Sequence, residues 1–342
     1  MINGKIRTLI LCSVLTAMSA GALPLPGPSA SDDKGKVAAT EVADKTARHY
    51  DFVVAKDGKG DFTTVQAAID AVPDFSKATT SILIRSGVYF EKVIIPMSKR
   101  NLAIYGEDGA TITCDHAAPQ PNALGNPYGT SGSSSVYIFA DDFYCENVTF
   151  ANTAGMTAGQ AVAVLTTGDK MFFRNCRFLG FQDTLYTYGL GRQYYEDCYI
   201  EGSVDFIFGP ATALFNRCEI RNKRSGGYIT APNTPEDKAY GFVFTDCRLT
   251  ADPGVEKCWL ARPWRDYGKT VYVRCYIGSQ IRPEGWHNWG KPEREKTALF
   301  AEINCTGPGS DTSSRAFGKV LKDASEYTLE KVLGGWIPKI PN

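Results

Sequence analysis

From Asp51 onward the chain alternates short apolar runs with polar breaks, and one early stretch has helical spacing. Asp61-Phe62-Thr63-Thr64 leads into Val65, Ala68, Ile69 and Val72, which share one face of a helix. The spacing predicts a short helix from Val65 to Val72, capped by Thr63 or Thr64 and stopped by Pro73. Beyond it, runs rich in Val, Ile, Phe and Tyr are broken by Gly, Asn and Asp, which is the pattern of strands. Near the end, Thr328 to Leu333 followed by Gly334-Gly335 predicts a short C-terminal helix with a glycine stop.

The strand segments repeat. When they are aligned on Cys176, Cys198, Cys218, Cys247 and Cys275, an aromatic stands three residues before each cysteine: Phe173, Tyr195, Phe215, Phe244 and Tyr272. A large apolar group stands two residues after: Phe178, Ile200, Ile220, Leu249 and Ile277. The cysteines are 22, 20, 29 and 28 residues apart. Asn147-Val148-Thr149-Phe150 fits as an earlier copy, with Val148 in the cysteine slot.

Repeats of this length built from short strands predict a solenoid, an all-β parallel β-helix whose stacked coils line up like residues inside. Side chains alternate along a strand, so each cysteine and the residue two later face the same way, inward. A row of buried cysteines is what such stacking produces, because Cys is among the most buried residue types. Rungs about 4.8 Å apart also leave a Cys198–Cys218 disulfide open. A β-sandwich is the alternative; its strands would recur at about 8–12 residues and give the cysteine register no cause. The open ends of a solenoid need covers. The helix from Val65 can cap the first coil, and the C-terminal helix stands near the other end of the chain.

Before the repeats, the first residues have the form of a secretory signal at 1–22. Lys5 and Arg7 precede the mainly apolar run Thr8 to Met18, and Ala20-Gly21-Ala22 offers small residues for cleavage. That run is too short to span a bilayer. A polar leader follows at 23–49, and a single domain is expected over 50–342. Export permits disulfides. Nine cysteines remain beyond Cys12, so at least one is unpaired, and none has zinc-site spacing. Lys+Arg and Asp+Glu number 37 each, so no electrostatic case exists for binding nucleic acid. After removal of the signal no membrane attachment is expected, and a monomer is.

The candidate chemistry is carried by acids and amides. The three histidines are His49, His116 and His287; no G-x-S-x-G elbow and no H-E-x-x-H motif occurs. Asp183 and Asp205 each stand inside an apolar, aromatic run, in Phe181-Gln182-Asp183-Thr184-Leu185-Tyr186 and Val204-Asp205-Phe206-Ile207-Phe208-Gly209. A lone Asp there would be read as a turn cap at a coil corner. Both, however, lie seven residues after their cysteines, so they occupy equivalent places on adjacent coils. Paired carboxylates push their pKa values apart, so that one ionises as a nucleophile while the other stays protonated as an acid. Arg262 can grip the ionised partner, or form an ordinary surface ion pair. Gln160 and Gln182 can donate to an oxyanion, although structural hydrogen bonding is the default for Gln160 alone.

These residues resemble pectin methylesterases. Gly87-Val88-Tyr89-Phe90-Glu91, Gln160-Ala161-Val162-Ala163, Gln182-Asp183-Thr184-Leu185-Tyr186, Asp205-Phe206-Ile207-Phe208-Gly209 and Leu260-Ala261-Arg262-Pro263-Trp264 are similar to that family's signatures, in the same order. Trp286, Trp289 and Asn304-Cys305-Thr306-Gly307-Pro308-Gly309 are similar too. The resemblance implies a right-handed parallel β-helix that removes methyl esters from pectin and needs no metal or organic cofactor. It makes Asp205 the nucleophile, Asp183 the acid and base, Gln160 and Gln182 the anion stabilisers, and Arg262 the residue that orients the nucleophile. Trp264, Phe208 and Tyr228 are expected to contact sugar faces. Ser135 is expected to stand where many members carry a threonine. The rivals are a lyase or glycosidase on the same solenoid, an esterase for a non-pectin ester, and a non-catalytic polysaccharide-binding solenoid.

Overall fold

The computed structural model describes residues 48–341. The expected signal and nearly all of the leader lie outside the described residues. Within them the strands form three parallel sheets of 11, 8 and 7 strands. Successive strands visit the sheets in turn. Met171–Arg174 lies in the first, Arg177–Leu179 in the second and Leu185–Thr187 in the third, before Arg192–Glu196 opens the next coil in the first. Adjacent coils pair in register, with Phe173 opposite Tyr195, Phe178 opposite Ile200 and Leu185 opposite Ile207. This is the expected parallel β-helix; a sandwich would need antiparallel sheets.

The interior follows the repeat. The aromatics stack in a column, with ring centroids 5.0 Å apart for Phe173–Tyr195, 4.6 Å for Tyr195–Phe215, 4.5 Å for Phe215–Phe244 and 4.7 Å for Phe244–Tyr272. The five aligned cysteines are buried beside them, and Val148 fills the same slot on the earlier coil. Cys305 continues the row one coil later, where Glu302 stands in the aromatic slot. The option of a Cys198–Cys218 disulfide is corrected: all nine described cysteines are free thiols. In-register parallel neighbours stand about 4.8 Å apart, wider than the roughly 3.8 Å between Cβ atoms that a disulfide favours. The five aligned thiols instead point at carbonyls of the preceding coil, as Cys198 does at Phe173 (3.5 Å) and Cys218 at Tyr195 (3.4 Å).

A left-handed residue precedes each slot and turns the chain from the first sheet into the second. Asn147, Asn175, Asp197, Arg217, Asp246, Arg274 and Asn304 all have φ between 49° and 60°. Asn and Asp tolerate this conformation. Arg217 and Arg274 are held there by forks onto Asp197 and Asp246 of the preceding coils.

The first helix runs Val65–Ala71 with Thr64 as N-cap, and it buries Val65, Ala68 and Ile69 against the first coils. Glu91 accepts the Val65 and Gln66 N–H groups at 2.9 and 3.0 Å. A carboxylate is well placed at a helix N-terminus, so the end of the Gly87–Glu91 motif has a structural task.

The C-terminal helix, Leu329–Val332, does not cover an end. It packs on the outer face of the first sheet, where Val332 and Leu333 join Tyr144, Phe172, Tyr194, Leu214 and Val243 in one apolar cluster. The far end of the solenoid is closed instead by Trp286 stacked on Phe300 and by a buried ion pair. Arg315 forks onto Glu302 at 2.7 and 3.0 Å and donates further to the carbonyls of Pro283 and Gly309. No helix among the described residues is long and apolar enough to cross a membrane.

Candidate active site

The site forms where the second sheet hands the chain to the third. Asp183 and Asp205 sit at that corner on adjacent coils, in left-handed turns with φ of 67° and 49°. The Asp183 N–H donates to the Val204 carbonyl at 3.0 Å, which locks the two corners in register. Gly202 permits the approach: a Cβ there would stand 2.1 Å from Phe206 Cβ and 2.7 Å from the Phe181 carbonyl oxygen. The turn-cap and paired-acid readings of these aspartates are thus compatible, because the tight corner is what brings the carboxyls together.

Both acids are 7% exposed. Arg262 follows the strand Trp259–Ala261 of the third sheet and reaches back to Asp205. Its Nε donates to Oδ1 at 2.8 Å and its Nη2 to Oδ2 at 2.6 Å. The guanidinium carbon lies 3.8 Å from the ring centres of both Tyr228 and Trp289, so the cation is sandwiched between two aromatic faces. Burial raises the Asp205 carboxyl above its ordinary value, and the Arg262 fork opposes that rise. Asp183 goes further, well above the usual carboxylate range, through burial first and then the neighbouring Asp205 charge. Asp205 is therefore the acid that ionises first, and Asp183 the one that keeps its proton.

A cleft of roughly 470 Å³ opens over this pair, lined by Thr130, Gln160, Gln182, Asp183, Tyr186, Asp205, Phe208, Ala231, Arg262, Trp264 and Trp289. Its floor is the outward face of the third sheet. Phe208 stacks on Tyr186 at 4.0 Å, and Trp264 meets both rings at about 6 Å. Gln160 and Gln182 belong to consecutive coils joined by the Ala161 N–H donating to the Gln182 carbonyl, 3.1 Å. Amides, acids and arginine thus line one concavity with an aromatic floor, an arrangement suited to nucleophilic attack on a carbonyl of a ring-bearing substrate.

Two expected residues stand elsewhere. Ser135 is fully buried, and its hydroxyl accepts the Cys114 N–H at 3.1 Å, so it cannot reach the cleft. Thr130, on the one-turn helix Gly129–Gly132, supplies the aliphatic hydroxyl of the lining. Tyr228 lies against Arg262 and is not part of the cleft lining. Sequence reasoning missed Thr130, Tyr186 and Ala231, and it noted Trp289 without a role. Tyr186 had a signal, since it pairs across coils with Phe208, which was chosen. Among the described residues one cluster of three potential metal donors occurs, Cys114, Asp115 and His116, and it is not part of the lining.

Comparison with known proteins agrees with this architecture. The family model described as Pectinesterase matches residues 51–335. The chain is 42% identical to pectinesterase 31 of Arabidopsis thaliana over 271 residues, 77% of this chain and 84% of that one. It superposes on the pectin methylesterase from carrot with a TM-score of 0.79 at 31% identity, covering 85% of this chain and 95% of that one. A crystal structure of a pectin methylesterase in complex with a hexasaccharide matches with a TM-score of 0.77 at 34% identity, covering 86% and 100%.

Proposed function

Because the chain belongs to the pectinesterase family, we propose that its cleft is the catalytic centre and that Asp205 and Asp183 divide the chemistry between them. The protein is a carboxylic ester hydrolase that removes methyl esters from pectin. The observation that carries the assignment of roles is the bidentate Arg262–Asp205 pair with Asp183 beside it. A guanidinium fork favours the ionised form of the acid it touches. Asp183 has no such partner and is buried next to a negative charge.

In the proposed mechanism an Asp205 carboxylate oxygen attacks the methyl-ester carbonyl carbon of a galacturonate unit. The amides of Gln160 and Gln182 donate to the oxyanion that forms. As the bond to methoxide breaks, Asp183 gives up its proton and methanol departs, leaving an anhydride between Asp205 and the sugar. Asp183, now ionised, takes a proton from water, whose oxygen attacks the anhydride. Asp205 is released as carboxylate, Asp183 is protonated again and pectate is the product. Phe208, Tyr186 and Trp264 support sugar faces. None of these steps calls on a metal or organic cofactor.

The basic start and apolar run of the first residues support export, and a monomer is part of the same proposal. One assay tests the function: methanol release from methylated polygalacturonate, with chain length followed in the same tube. Methanol without shortening is expected. Chain cleavage without methanol would overturn it in favour of a lyase or glycosidase.

A further inference from the structure

His287 touches neither carboxylate and does not line the cleft, yet it stands behind the groups that do. Its backbone N–H donates to Ala261 at 3.1 Å, which fixes it to the strand that leads into Arg262. Its ring lies against Trp259 and Tyr228, at 4.9 and 5.5 Å between centroids. Its Nδ1 accepts the backbone N–H of Trp289 at 3.1 Å. Trp289 holds φ at 62°, a conformation that is strained for a bulky residue and persists only when its surroundings enforce it. That turn lays the Trp289 indole on the Arg262 guanidinium at 3.8 Å.

We propose that His287 is a positioning residue: neutral, it holds Trp289 in the left-handed turn that clamps Arg262 on Asp205, and protonated, it lets that clamp go. An acceptor Nδ1 must carry a lone pair, so the proton of the neutral ring sits on Nε2. Protonation turns Nδ1 into a donor facing a donor, and the hydrogen bond is lost. The charged groups around the ring all bear on this step. Arg262 faces it from the end of the third-sheet strand, and Arg282 lies on the outer side of Trp259, 3.9 Å from that ring, with Glu284 as its partner. Burial and the two cations hold the imidazole below its ordinary value, so the clamp stays closed at neutral pH and opens as the medium turns acidic. The new cation would also repel Arg262.

The inference rests on the assignment of Asp205 as nucleophile, and its test separates the two. In enzyme labelled with 15N-tryptophan, the five tryptophans give five backbone amide signals. The Trp289 amide is expected to move with a single inflection that follows His287, a readout that does not depend on activity. His287→Ala should lower kcat/KM at neutral pH by roughly three- to tenfold, the range of one hydrogen bond. His287→Asn should restore much of that loss, because its oxygen can accept from residue i+2, as Asn288 Oδ1 already does from Gly290 at 2.9 Å. It should also remove one step from the acid limb of the profile, since an amide does not titrate. A Trp289 amide that ignores the His287 titration, or an Asn variant with the wild-type acid limb, would overturn the proposal. Failure of the nucleophile assignment would look different: Asp205→Asn would still release a burst of leaving group from an activated ester, whatever the Trp289 amide does.

Discussion

Replacing Arg262 tests how far one cation sets the reactivity of the buried nucleophile. Two charge-assisted bonds at 2.8 and 2.6 Å hold Asp205, and two aromatic faces at 3.8 Å hold the cation. Arg262→Lys keeps the charge but loses the fork, because an ammonium is a point donor. One charge-assisted bond is worth about 1.5–3 kcal/mol. At about 1.4 kcal/mol per factor of ten, kcat should fall by roughly ten- to a hundredfold. Arg262→Met removes the charge and leaves a buried carboxylate unpaired, a change that costs about 3–5 kcal/mol in comparable buried pairs. Asp205 answers by taking up a proton. Its carboxyl is already raised by burial and opposed only by Arg262, so loss of that opposition raises it further. The enzyme needs Asp205 ionised, hence the acid limb of kcat/KM must move to higher pH. Initial rates of methanol release across the pH range, on variants checked by thermal melts, measure both effects. An Arg262→Met enzyme with an unmoved acid limb and a kcat within threefold of wild type would refute the reasoning.

Methanol release should survive EDTA, because the proposed steps involve only side chains; loss of activity restored by Ca²⁺ would favour lyase-like chemistry. The eight buried thiols should be nearly inert to Ellman's reagent in the folded enzyme and react together on unfolding, whereas a disulfide in the column would leave that count short. Arg315→Met should destabilise the fold by about 3–5 kcal/mol, seen as a lower melting temperature, because Glu302 would remain buried without its partner.

The repeat was legible because a parallel solenoid stacks equivalent positions in register, so one buried slot imposes one residue type coil after coil. The spacing of Asp183 and Asp205 could be read for the same reason. Cys305 escaped because the slot that should announce it holds Glu302, recruited into the end-closing pair with Arg315. The C-terminal helix was legible, but its seat on the first sheet was not read although a signal existed. Strands such as Met171–Arg174 and Phe242–Thr245 are apolar at nearly every position, which marks burial on both faces. The outward residues Phe172 and Val243 needed a cover, and Leu329–Val332 with Trp336 supplies part of it. Ser135 was singled out only through the resemblance, as the residue standing where many members carry a threonine, and nothing in the local pattern marked Thr130. Thr130 sits on the one-turn helix Gly129–Gly132, and no strand periodicity encodes its place in the cleft. Tyr228 was grouped with Trp264 and Phe208 as an aromatic lining a groove for sugar faces. Its task against Arg262 depends on an arginine 34 positions later, a contact made by stacking and invisible to local pattern.

The central claim is the division of labour between two similar acids, and pre-steady-state kinetics on an activated ester of galacturonate tests it most directly. A good leaving group needs little proton donation, so acylation should be partly spared when Asp183 is lost. Deacylation should stall, because no base remains to take a proton from water. The account predicts a burst of leaving group in Asp183→Asn, with a slow steady state, and no burst in Asp205→Asn. A burst in Asp205→Asn that is absent from Asp183→Asn would show that the two aspartates hold the opposite roles.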